Sequence, residues 1–79
     1  MRLKILYFGQ AAEIVGSESN EVSLSDNVSL LDLQRSLFLD FPNLETLNLK
    51  WAVNQELING DLDLKEGDEI SVLPPFAGG

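Results

Sequence analysis

The residues best placed to take part in chemistry are the last six: Pro74, Pro75, Phe76, Ala77, Gly78 and Gly79. The two glycines have no Cβ, so the backbone there can enter a slot too narrow for any side chain. With Gly79 as the terminus, its α-carboxylate sits on a tip that nothing shields, as expected of a carboxylate worked on inside another protein. Pro74 and Pro75 hold φ near about −65° and favour an extended, polyproline-like path, so residues 74–79 are expected to project from the body. Six residues span roughly 20 Å at about 3.3–3.6 Å each. The plainer reading is a frayed chain end. With glycine at about 7 % of residues, a terminal pair arises by chance in roughly one chain in 200.

The chain supplies few catalytic groups of its own. Cysteine and histidine are both absent, which removes disulfides, thiolate chemistry, an imidazole base and the usual zinc ligands. Any reaction is therefore expected to use groups from a partner, with this chain as a non-catalytic participant. Asp61 and Asp63, with Glu66, Asp68 and Glu69 nearby, lack the regular ligand set of an EF-hand. A solvated acidic rim is the favoured reading, with no metal and no bound cofactor. The net charge of −8, from thirteen acidic and five basic residues, disfavours binding to nucleic acid, where Lys and Arg must neutralise phosphates. The acidity serves either solubility or steering toward a basic partner surface. The apolar stretches are too short for a membrane span, and residues 1–4 lack a signal-peptide core, so a cytoplasmic location is expected.

Seventy-nine residues form one domain, expected over residues 1–73, with residues 74–79 as its tail. Residues 3–8 begin with alternation and end in an apolar run, which predicts a strand buried toward its end, with Phe8 in the core. A helical turn over residues 11–15 is stopped by Gly16. Residues 21–24 alternate as a second strand, antiparallel to the first. Ser29 and Asp32 give a capping signal ahead of Leu30, Leu33, Leu37 and Phe41, whose spacing predicts an amphipathic helix over residues 30–40. Pro42 ends it, and residues 43–48 are expected to form another helical turn. Residues 50–53 form a third strand, with Trp51 in the core, and residues 56–58 a short segment. Asn54 and Asn59 read as turn formers. Leu62 and Leu64 read as core contacts. A turn over residues 65–68, with Gly67 at positive φ, leads to a last strand over residues 69–73. Two strands, a helix and further strands predict an α+β domain of β-grasp layout, its first and last strands pairing in parallel at the centre. The sheet would have four to five strands with one main helix packed across it.

Three blocks of this sequence resemble the ubiquitin-like sulfur carriers that form the small subunit of molybdopterin synthase. They are Leu6-Tyr7-Phe8-Gly9 leading to Glu13-Ile14-Val15-Gly16; Ala52-Val53-Asn54-Gln55; and Leu64-Lys65-Glu66-Gly67-Asp68-Glu69-Ile70 running into the Pro74 to Gly79 ending. The last block is the most specific, because its turn, single strand and Pro-Pro-x-x-Gly-Gly ending are uncommon in combination. The likeness covers nearly the whole length. It departs from the family at Leu73, where an aromatic is common, and at Phe76, where a smaller residue such as valine is common.

The resemblance implies a definite chemistry. A ubiquitin-activating-enzyme-like adenylyltransferase would use ATP to convert the Gly79 carboxylate to an acyl-adenylate. A sulfur donor protein would then leave a thiocarboxylate on Gly79. The tail, Pro74, Pro75, Phe76, Ala77 and Gly78, would insert into the large subunit of molybdopterin synthase. There the sulfur passes to the cyclic pyranopterin monophosphate precursor, within a heterotetramer of two small and two large subunits. Phe76 and Leu73 are the expected partner contacts, each contributing about 1.5–3 kcal/mol if fully buried. Leu73 reads equally as the last core residue. Two alternatives remain at this level: a modifier conjugated to lysines through Gly79, and the related carrier of thiamine biosynthesis.

Overall fold

The computed structural model describes residues 1–75. Along the chain these fold as β1 (Arg2–Tyr7), α1 (Gln10–Val15), β2 (Ser19–Ser23) and α2 (Leu30–Asp40). A 3-10 turn (Pro42–Thr46), β3 (Lys50–Val53), β4 (Glu56–Leu57) and β5 (Glu69–Leu73) follow. The five strands form one mixed sheet in the order β2-β1-β5-β3-β4. β1 and β5 run in parallel at its centre, with Ile5 opposite Ile70 and Tyr7 opposite Val72. The remaining pairs are antiparallel. This is the expected β-grasp, with strands at the upper end of the anticipated number.

Alternation along the central strands decides which face is buried. Leu3, Ile5 and Tyr7 of β1, Ile70 and Val72 of β5, and Trp51 and Val53 of β3 point into one core with Leu30, Leu33 and Leu37 of α2. Trp51 is in the core as expected, and its indole meets Phe38 of α2 edge-on, with ring centroids 6.2 Å apart. Burial pushes the Tyr7 phenol above its ordinary pKa. The hydrogen bond from Asn20 partly offsets this, and the Asp40 charge adds to it.

α2 starts where the capping signal places it. Ser29 Oγ accepts from the Asp32 N–H and the Asp32 carboxylate accepts from the Ser29 N–H, completing the box with aspartate in place of the commoner glutamate. α1 ends at Gly16 in the left-handed region. Gly67 has φ 83° in the turn before β5, a conformation that a side chain would strain. Two expectations fail. Phe8 is 44 % exposed and Leu62 is 39 % exposed, so neither is core. Leu64 is buried as anticipated. β2 also starts earlier than the alternation suggests, at Ser19. Among the described residues, no helix is long and apolar enough to cross a membrane.

Candidate functional site

The side of the sheet away from α2 is a platform that leads to the tail. Directly paired residues share a face, so the register assigns its members. Arg2, Lys4 and Leu6 of β1 stand beside Ser23, Glu21 and Ser19 of β2. On the other flank, Lys4 and Leu6 stand beside Glu69 and Ser71 of β5. Ser71 and Leu73 in turn pair with Ala52 and Lys50 of β3, and Ala52 with Leu57 of the edge strand β4. Ser71 and Ala52 are small and buried. They form a floor rimmed by Leu6, Leu73 and Leu57, with Phe8 one step beyond the end of β1. Leu57 and Phe8 are exposed and Leu6 and Leu73 partly so, and apolar side chains left open around a floor of small residues suit a recognition surface.

Phe8 is the functional candidate that sequence reasoning places wrongly. The apolar run Leu6-Tyr7-Phe8 reads as increasing burial, but β1 ends at Tyr7 and strict alternation turns Phe8 outward. Continuing the period of two across Arg2, Lys4 and Leu6 was the available signal. Leu73 is half-buried on the same face. It is not among the residues packed against the core, so the expectation that it is the last core residue is not met, and its side chain faces outward with Lys50 and Ser71.

β5 carries the chain to the rim of this platform. It ends at Leu73, and Pro74 lacks the N–H needed to extend the ladder. Pro74 is half-buried and Pro75 exposed. Phe76, Ala77, Gly78 and Gly79, the remaining anticipated tail and reaction residues, lie outside the described residues.

The opposite end of the sheet is held by polar side chains. Asn54 has φ 51°. Its Nδ2 donates to Asp68 Oδ1 at 2.9 Å, and its Oδ1 accepts from the Glu69 N–H at 3.0 Å. Asp68 also accepts from the Lys65 N–H at 2.7 Å. Asn54 is thus a turn former, as anticipated, and it clamps the β3–β4 turn onto the start of β5. Glu66 accepts from the Arg2 N–H at 3.0 Å, and Asp61 from the Leu31 and Leu62 N–H groups at 3.0 and 2.8 Å. The acidic rim is therefore also a set of turn and helix caps. Among the described residues, no three acidic side chains gather as metal ligands would.

A mixed sheet with parallel central strands, one helix packed across one face and a tail leaving the last strand defines a ubiquitin-like β-grasp domain. Within that class the ThiS family model matches residues 5–79, and the chain belongs to this family. The molybdopterin synthase sulfur carrier subunit of Homo sapiens is 36 % identical to the chain over 83 residues, covering 99 % of it and 94 % of the human protein. The subunit of the same name from Escherichia coli K12 is 35 % identical over 81 residues, covering 98 % and 99 %.

Solved structures agree on the fold. A putative molybdopterin converting factor subunit 1 from Pyrococcus furiosus superposes with TM-score 0.87 at 22 % identity, over 96 % of this chain and 99 % of that one. SAMP1 of Haloferax volcanii superposes with TM-score 0.83 at 22 % identity, over the whole of both chains. At such identities the likeness concerns fold alone. A protein–protein complex of subunits 1 and 2 of the molybdopterin-converting factor from Helicobacter pylori contains a chain of TM-score 0.70 and 29 % identity, again over both full lengths.

Proposed function

We propose that this chain is the sulfur-carrier small subunit of a molybdopterin synthase, working in the cytoplasm through Gly79. The observation that carries the reading is the course of β5. The central strand of the sheet delivers Pro74 and Pro75 to the rim of an exposed apolar face, next to the sequence Phe76-Ala77-Gly78-Gly79. Relatives of 35–36 % identity bearing the sulfur-carrier name support it over the full length.

In this reading residues 1–73 are the domain and residues 74–79 its reacting tail. A carboxylate is a poor electrophile until one oxygen belongs to a good leaving group. A ubiquitin-activating-enzyme-like adenylyltransferase supplies that group. A Gly79 carboxylate oxygen attacks the α-phosphorus of ATP, and pyrophosphate leaves. The terminal sulfur of a persulfide on a sulfur donor protein then attacks the acyl carbon and AMP departs. A second thiol cleaves the S–S bond of the resulting acyl disulfide, which leaves the thiocarboxylate on Gly79 and a disulfide on the thiol side. The large synthase subunit receives the tail, with two copies of each subunit in the assembly, and holds the sulfur beside the cyclic pyranopterin precursor. There proximity does much of the catalytic work. Glycine at both final positions lets the reacting carbon sit deep in a narrow channel. Leu73 and Phe76 anchor the tail, and the platform of Leu6, Phe8, Ala52 and Leu57 docks the body.

Intact mass tests the reading. Incubation with the cognate adenylyltransferase, ATP and a sulfur source is expected to raise the mass by about 16 Da, the difference between oxygen and sulfur. Deleting Gly79 is expected to abolish both this shift and pterin conversion. A truncated chain that still supports conversion would overturn the proposal. Isopeptide adducts on lysines without any thiocarboxylate would point to the modifier reading instead.

A further inference from the structure

We propose that Gly9 is a positioning residue for the tail: a seat for the Pro74 ring that fixes the heading with which the chain leaves the sheet. The inference rests on the tail's role above, but the contact itself is independent of it. The parallel register places Tyr7 opposite Val72, and the Phe8 N–H donates to the Val72 carbonyl at 3.1 Å. Two more steps along both strands bring Gly9 opposite Pro74. A Cβ built on Gly9 would lie 3.1 Å from Pro74 Cγ and 3.6 Å from its Cβ. The ring therefore packs directly on the Gly9 backbone, and a side chain at position 9 would have to push it back by a few tenths of an ångström.

The seat is rigid from below. Gly9 has φ 56° and ψ −129°, a combination that residues with a Cβ avoid. It is also held in the loop that opens α1, since its carbonyl accepts from the Glu13 N–H at 3.3 Å. A proline that merely ended β5 would stop the ladder but leave the chain free to pivot about the ψ angle of Leu73. Packing the ring on Gly9 removes that freedom. It starts the remaining residues from one point on the rim, at the end of the sheet where Phe8 stands. A partner docked on the platform then meets the tail at a fixed angle. That is the condition under which a reacting carbon reaches its site without a search.

The contact can be read without any enzyme. In the intact protein, nuclear Overhauser cross-peaks between the Gly9 Hα protons and the Pro74 ring protons are expected, and their absence would overturn the proposal. For its consequence, adenylation kinetics with the cognate adenylyltransferase are compared for wild type, Pro74→Gly, Gly9→Ala and the double variant. Pro74→Gly imposes no strain on the fold, so its thermal midpoint is expected to stay near wild type. Its kcat is expected to fall about tenfold or more with KM little changed, because the docking face is intact and only the aim is lost. The double variant is expected to lose no more than the worse single variant, because both changes act on one contact. Wild-type kcat in Pro74→Gly, or independent losses that multiply in the double variant, would refute the seat. If wild type itself is never adenylated, the fault lies with the proposed function, and the cross-peaks still decide whether the seat exists.

Discussion

Asp61 is a surface residue whose carboxylate is nevertheless committed to the fold. It accepts from the backbone N–H groups of Leu31, in the first turn of α2, and of Leu62. These bonds, the one to Leu31 foremost, hold its pKa below the ordinary value of 3.8. The unfolded chain binds a proton at about that ordinary value, so between the two pKa values it carries more protons than the folded chain. Stability contributed by Asp61 is therefore fully present above about pH 4 and is lost as the pH falls through the folded pKa. In parallel thermal melts, the gap in Tm between wild type and Asp61→Ala is expected to be constant from pH 7 to about pH 5 and to shrink below about pH 4. A gap that stays unchanged down to pH 2 would mean that the carboxylate's charge is irrelevant and the capping account is wrong. The sequence showed Asp61 only as one acid among several. Its principal partner, Leu31, lies in α2, thirty positions earlier, so no local pattern could reveal it.

At the scale of elements, β5 links stability to function. It has two central neighbours, β1 and β3, and its inward residues Ile70 and Val72 are fully buried. Truncating a buried isoleucine typically costs about 2–5 kcal/mol in lost transfer energy and cavity formation. In a domain this small each kcal/mol lowers Tm by roughly 4–8 °C. Ile70→Ala is thus expected to lower Tm by on the order of 10–40 °C. Phe8→Ala, on the outer face, is expected to move Tm by only a few degrees while weakening partner binding. If the two variants were equally destabilised, Phe8 would be serving the core after all.

α2 was legible from the sequence because two independent signals agree there, the Ser29/Asp32 box and the three–four spacing of leucines. β5 was legible from alternation between a glycine turn and prolines. Phe8 and Leu62 lie outside the core although both are large and apolar, because residue type does not set the face. At Phe8 the period of two still decides and turns it outward, and Leu62 lies outside any strand. The proposed tail chemistry rests on residue types, since proline fixes φ and glycine removes the Cβ wherever they stand. The Gly9–Pro74 contact was not, because only the parallel pairing of β1 and β5 brings those residues together.

For the molecule as a whole, the distribution of charge matters more than its total. β1 and β5 both start at one end of the sheet, where Glu66 meets Arg2 and Asp68 meets Asn54. Asp26 lies near the amino terminus at this end, 3.6 Å from its ammonium, and Asp63 bridges to Ser29 close by. The tail leaves from the other end of β5, five residues and about 17 Å away. The platform is close to balanced: Arg2, Lys4 and Lys50 share it with Glu21 and Glu69, and Lys4 stands between the two glutamates. At physiological salt, charges act over about 8 Å, so the acidic end is screened from a partner seated on the apolar floor at the tail end of the platform. Of the two roles open to the acidity, this arrangement favours solvation over steering. Raising salt from about 0.1 to 0.5 M is therefore expected to change the Kd for the large subunit by less than about threefold, because apolar burial and not charge pairing holds the complex. Calorimetric titration across that range checks it. A fall in affinity of tenfold or more would mean that the acidic end itself meets a basic surface, and the docking face would have to be moved toward Asp63 and Glu66.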